Sequence, residues 1–183
     1  TIWGSPYLEF FRDYHLPALL AHGNLPHLAR SGRLIFSIVT DAAGRTFLEH
    51  TDALRALGGI AEVRFSIARR MPCRDSPDEA RSFYMRYGLL DHLHVYLARS
   101  LGASLLLMPA DTVISRFGLA TLAEQMERGF DCCTVACIEA YRDAVTPALA
   151  AHRKNQVIAV DAAELAAVAI TRPIPTDCAA RAV

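Results

Sequence analysis

Four short segments carry the residue types best suited to chemistry: Trp3-Gly4-Ser5, Thr40-Asp41, Ala68-Arg69-Arg70 and Pro109-Ala110-Asp111. Between them they hold a glycine turn, two carboxylates and adjacent arginines. A guanidinium offsets phosphate charge through a fork of N–H donors. A carboxylate is a hard oxygen ligand for a divalent cation. Gathered at one rim, such groups suit a nucleoside diphosphate with a divalent metal. Asp111 is the sharpest candidate, because it closely follows the apolar run Leu105-Leu-Leu-Met108 and would stand at a rigid sheet edge. The plainer reading makes Asp111 a turn or helix cap and Arg69-Arg70 a solvated loop end.

The elements that would bring these segments together follow from hydrophobic patterning. Ile2-Trp3 reads as the end of a strand, broken by Gly4-Ser5-Pro6. Residues 7–21 then read as a helix, with Ser5 as N-cap and Pro6 at its first position. Strands are expected over 34–40, 60–67, 103–108, 131–138 and 156–160. Residues 41–44 read as a turn. Helices are expected over 51–57, 77–101 (capped by Ser76), 115–128 (capped by Ser115), 140–151 and from Asp161 onward. Asp161 and Glu164 have capping-box spacing. Gly102 and Gly129 are the expected helix stops. Strands alternating with helices predict a three-layer α/β domain, with a mostly parallel sheet and helices on both faces. Ligands of such sheets bind off the carboxyl ends of the strands, which is where the four segments fall.

Composition bounds the rest. The chain has 183 residues, 52% of them hydrophobic and 21% charged, enough for one self-sufficient core. It opens on Thr1, so residues 1–183 read as a single domain from a longer or processed chain. Nineteen basic and nineteen acidic residues cancel, which argues against nucleic acid as a partner. No apolar run is long enough to span a membrane. Lys154 is the sole lysine, and no glycine-rich loop precedes it, so a P-loop is not supported. The arginine and alanine bias is bacterial-like. Five cysteines without framework spacing read as reduced thiols of a cytoplasmic protein.

The order of elements and the segment Leu105-Leu-Leu-Met-Pro-Ala-Asp-Thr-Val-Ile114 resemble the GT-A-fold nucleotide-diphospho-sugar glycosyltransferases, over roughly residues 1–140. Those enzymes place an Asp-x-Asp motif after the fourth strand, where it holds Mn²⁺ or Mg²⁺ against the donor phosphates. The resemblance implies Asp111 as the metal ligand. It also implies a donor loop at Trp3, Gly4 and Tyr7 and a donor-contacting helix with Tyr84, Arg86 and Tyr87. With the strand-end residues, the expected nucleotide-binding set is Trp3, Gly4, Tyr7, Thr40, Asp41, Arg69, Arg70 and Arg86. The first acid of the motif is replaced by Pro109, and little chain follows Ile138 to bind an acceptor or supply a base.

Other clusters read more plainly. His92 and His94 point in different directions on a helix. Cys132, Cys133 and Cys137 lack a second pair to complete a zinc site. His15 and His22 have no third ligand. Ser37 has no nucleophile-elbow setting. The reading is therefore a glycosyltransferase, or its donor-binding domain, using a nucleotide-diphospho-sugar and an unidentified acceptor. The alternative is a non-catalytic α/β interaction domain that has lost the metal site. Apolar surface at a sheet edge would favour self-association, hence a homo-oligomer.

Overall fold

The computed structural model describes residues 1–68, 77–135 and 137–171, with the side chains of 77–87 left out of the description. The chain opens with α1 (Ser5–Phe10), a π turn over Phe11–His15 and α2 (Leu16–Leu19), which together form the expected first helix. Pro17 has no N–H to donate to Asp13, and the helical ladder widens to π spacing just before it. Ser5 is not the cap. Gly4 is, with φ 81, and the Ser5 hydroxyl instead donates to Glu9 Oε1 at 2.8 Å.

After α3 (Leu25–Ser31) come β1 (Ile35–Thr40), α4 (Ala42–Glu49), α5 (Asp52–Gly58) and β2 (Glu62–Ile67). The expected turn at 41–44 is the start of α4. Asp41 caps it by accepting from Gly44 N at 2.6 Å, and Thr51 caps α5. β1 and β2 pair in parallel, from Ile35 opposite Glu62 to Thr40 opposite Ile67. Phe36 lies 6.5 Å from the Phe11 ring, while Ser37 Oγ and His94 Nε2 share a hydrogen bond of 3.1 Å. Successive strand residues point to opposite faces. The first helix and α6 (Pro77–Ser100) therefore flank β1 from opposite sides.

The second half departs from the expected strands. Gly102, at φ 60, ends α6 as expected. Residues 103–108 then run without a ladder partner among the described residues, and so do the described residues of 131–138. α7 (Gly118–Glu127) starts later than expected, after Phe117 at φ 67. Its leading N–H groups are met from another part of the chain. Leu119 N donates to Asn24 Oδ1 at 3.0 Å and Ala120 N to Gly23 O at 2.9 Å. Ser115, the expected cap, has its carbonyl held by Asn24 Nδ2 at 3.1 Å.

α8 (Arg142–Ala151) precedes a two-residue antiparallel hairpin, β3 (Arg153–Lys154) and β4 (Val157–Ile158), where one longer strand was expected. α9 (Ala162–Ile170) follows Asp161, whose carboxylate makes no cap bond and accepts from Arg116 at 2.7 Å. The expected capping box is thus replaced by a tie to the residues before α7. The main core lies between the first helix, α4, α5 and β1, around Leu16, Leu19, Leu48 and Leu57. A smaller core joins α8 to β4 through Leu149 and Ile158.

Candidate functional site

Two backbone bonds gather three chain segments at the carboxyl end of the parallel pair. Ile2 N donates to Val39 O at 2.8 Å, which ties the start of the chain to the last residues of β1. Ala68 N donates to Thr40 O at 2.9 Å, so the chain leaving β2 passes the same point. The Gly4 carbonyl accepts from Tyr7 N and Leu8 N, turning the backbone into α1. Its positive φ is a conformation that favours glycine. Trp3 is half-buried beside this turn and Tyr7 is exposed.

Thr40 is fully buried, and its hydroxyl has no hydrogen-bond partner among the described residues. Gly44 lies against it. A Cβ at position 44 would stand 2.1 Å from Thr40 Oγ1, 3.1 Å from Asp41 Oδ1 and 3.3 Å from Leu8 Cδ2. Glycine at 44 is what lets the first turn of α4 close on both β1 and α1. Asp41 is partly exposed and engaged as the cap of α4.

One contributor has no signal in the sequence. Arg142, the first residue of α8, donates from Nη1 to Pro6 O at 3.1 Å. This exposed guanidinium stands at the Gly4–Tyr7 turn, with no carboxylate paired to it among the described residues. A cation thus borders the segment where α1 begins, and that end of a helix carries partial positive charge.

Asp111 belongs to the segment that precedes α7. It is exposed, in a turn closed by Thr112 N to Pro109 O, and no described bond joins it to Thr40 or Asp41. The Thr112 carbonyl is anchored at 2.6 Å by His15 Nδ1. A carbonyl only accepts, so His15 carries its proton on Nδ1. His15 is buried and stacked on Phe11, and burial pushes its pKa down to about 4. At neutral pH it is an uncharged donor that pins the Asp111 segment to the π turn. Arg69 and Arg70 lie outside the described residues, as does the side chain of Arg86.

No group of three His, Cys, Asp or Glu side chains placed to hold a metal occurs among the described residues. Asp111 is an exposed carboxylate, and Asp41 is engaged as the cap of α4. Cys132 and Cys137 are exposed thiols, and Cys133 is half-buried. Ser37 and His94, each read plainly from sequence, form a half-buried pair that ties β1 to α6. Burial lowers the His94 pKa.

Two recesses lie elsewhere. One, of about 420 Å³, is bordered by Arg45, Glu49, Arg55 and Phe65; the other, of about 270 Å³, by Arg12, Asp13, His50 and Arg153. Their charges are largely spent internally, in Arg45–Glu49, Arg55–Asp52 and Arg12–Asp13 pairs. The position at the carboxyl end of a parallel strand pair, with the Arg142 guanidinium unpaired to any carboxylate among the described residues, favours the strand-end edge as the site. Comparison with known protein families, curated proteins and solved structures finds no match.

Proposed function

We propose that the strand-end edge binds the diphosphate of a nucleotide-diphospho-sugar, and that the protein is a glycosyltransferase or its donor-binding domain. The observation that carries this reading is that Ile2 and Ala68 both bond to the carboxyl end of β1, while α1, whose first turn Arg142 contacts, packs through Leu8 against Gly44 at the start of α4. Ligands of open α/β sheets bind at that end. Helices on opposite faces of β1 support the fuller architecture, a three-layer domain with a mostly parallel sheet, as part of the same proposal.

Each residue then has a role. Arg142 and the turn at Gly4 meet the phosphates, and Trp3 and Tyr7 offer aromatic surface to the base. Arg69, Arg70 and Arg86 are proposed as further phosphate contacts on sequence grounds. In transfer, the bond from the sugar's anomeric carbon to the phosphate oxygen breaks, and its electron pair leaves with the nucleoside diphosphate. An acceptor oxygen bonds to the same carbon and gives up its proton. Negative charge grows on the departing phosphate, so cations fixed beside it lower the barrier. Asp111 is proposed to touch Mn²⁺ or Mg²⁺ in company with substrate phosphates and water, a composition common for Mg²⁺. No step is assigned to that ion.

Calorimetry with UDP- and GDP-sugars, with and without Mn²⁺, tests the proposal. Binding by at least one donor is expected, weakened about tenfold in Arg142→Ala, equivalent to about 1.4 kcal/mol. Arg142 is exposed, so its loss should leave folding unchanged. Failure of every donor to bind, or unchanged affinity in Arg142→Ala, would overturn it. The metal arm is separate: Asp111→Ala should remove any gain from Mn²⁺ and leave metal-free binding intact.

A further inference from the structure

Among the described residues, one edge of β1 is paired along its length and the other is met only by Ile2. Glu62 N bonds to Leu34 O and Ala68 N to Thr40 O, so even-numbered residues turn their backbone groups toward β2. Odd-numbered residues turn theirs the other way, and there Ile2 N reaches Val39 O. The N–H and C=O of Ile35 and Ser37 face that second edge with no strand partner among the described residues. The same chain holds an irregular segment that also lacks a partner. Residues 103–107 are all exposed and wholly apolar but for Ser104, with Leu105, Leu106 and Leu107 at 39%, 47% and 49% exposure. Apart from Ala103 N, which bonds to Ala98 O, their backbone has no partner among the described residues.

An apolar run exposed along its whole length, with its backbone groups unpaired, is a pairing template that monomeric proteins avoid. Just before it, α6 exposes Leu89, Leu93 and Tyr96 at 63%, 59% and 76%, an i, i+4, i+7 ridge. The ridge and the apolar run follow one another through Gly102.

We propose that a second copy of this chain covers this surface, with Ala103–Met108 of each copy pairing to the open edge of β1 in the other. Each copy holds both halves of an unused ladder, so one exchange about a two-fold axis satisfies both edges and closes the assembly. The apolar ridge of α6 is buried in the same contact. This inference is independent of donor binding.

Light scattering of the full chain should give a particle of twice the chain mass, and Leu106→Lys should return it to a monomer with an unchanged circular dichroism spectrum. A parallel arm uses chains whose five native cysteines are replaced by serine. One copy carries Ile35→Cys, the other Leu106→Cys, and the two are mixed and treated with a short bis-maleimide. A cross-linked mixed dimer is expected. A wild-type monomer at the highest soluble concentration would overturn the proposal, as would a dimer indifferent to Leu106→Lys. If Leu106→Lys fails to fold, the cross-link decides alone: its absence in a dimeric wild type overturns the exchange.

Discussion

Single side chains set the sharpest constraints on this molecule. Gly44 is tied to its neighbours by space, since a Cβ there would meet Thr40 Oγ1 at 2.1 Å. Both groups are buried, so strain has no cheap outlet. Gly44→Ala should cost about 1–3 kcal/mol in urea denaturation and weaken donor binding at the adjoining edge. His15 gives a pH signature. Its pKa falls from 6.5 to about 4 on folding because burial disfavours the cation. The unfolded chain therefore binds a proton that the native state refuses between those values. Stability should fall as pH drops from 6.5 to 4, by up to roughly 3 kcal/mol in all, and level off below. His15→Leu should flatten that part of the profile, although it also loses the bond to Thr112. A denaturation midpoint with the same pH slope in both proteins would contradict this role.

The later helices α7 and α9 are anchored by partners that local sequence does not reveal. Asn24 is fully buried and serves α7 from 95 residues away, through Leu119 N, while holding Ala18 O and Ser115 O. Its removal would strand a buried donor and two acceptors. Asn24→Ala should cost on the order of 2–4 kcal/mol and raise amide exchange in α7. The Arg116–Asp161 pair links the same region to α9 but is exposed, so Asp161→Asn should change stability by less than about 1 kcal/mol. Equal losses in the two variants would contradict this ranking. Elements with a strong local signal were legible in the sequence: the first helix, with Pro6 in its first turn, β1, α5, β2, α6 and the Gly102 stop. The start of α7 was not, because its cap comes from Asn24 rather than Ser115. Residues 103–108 have strand composition, but a strand also needs a ladder partner, and periodicity carries no information about that. Arg142 was invisible as a site residue for the same reason: 136 positions separate it from Pro6.

At the scale of the whole molecule, a zero net charge coexists with a guanidinium at a strand-end edge, and a well-filled core coexists with bare leucines at 105–107. The exposed run argues for self-association and the edge for an anionic ligand. The two properties are separable, because Leu106→Lys should abolish the first and leave the second. The most direct measurement of the central claim is an amide NMR titration of the protein with a nucleoside diphosphate. Shifts concentrated at Gly4, Tyr7, Thr40, Gly44 and Arg142 are expected. Shifts confined to the recess bordered by Arg45 and Phe65, or no shifts at all, would contradict a diphosphate site at the carboxyl end of β1.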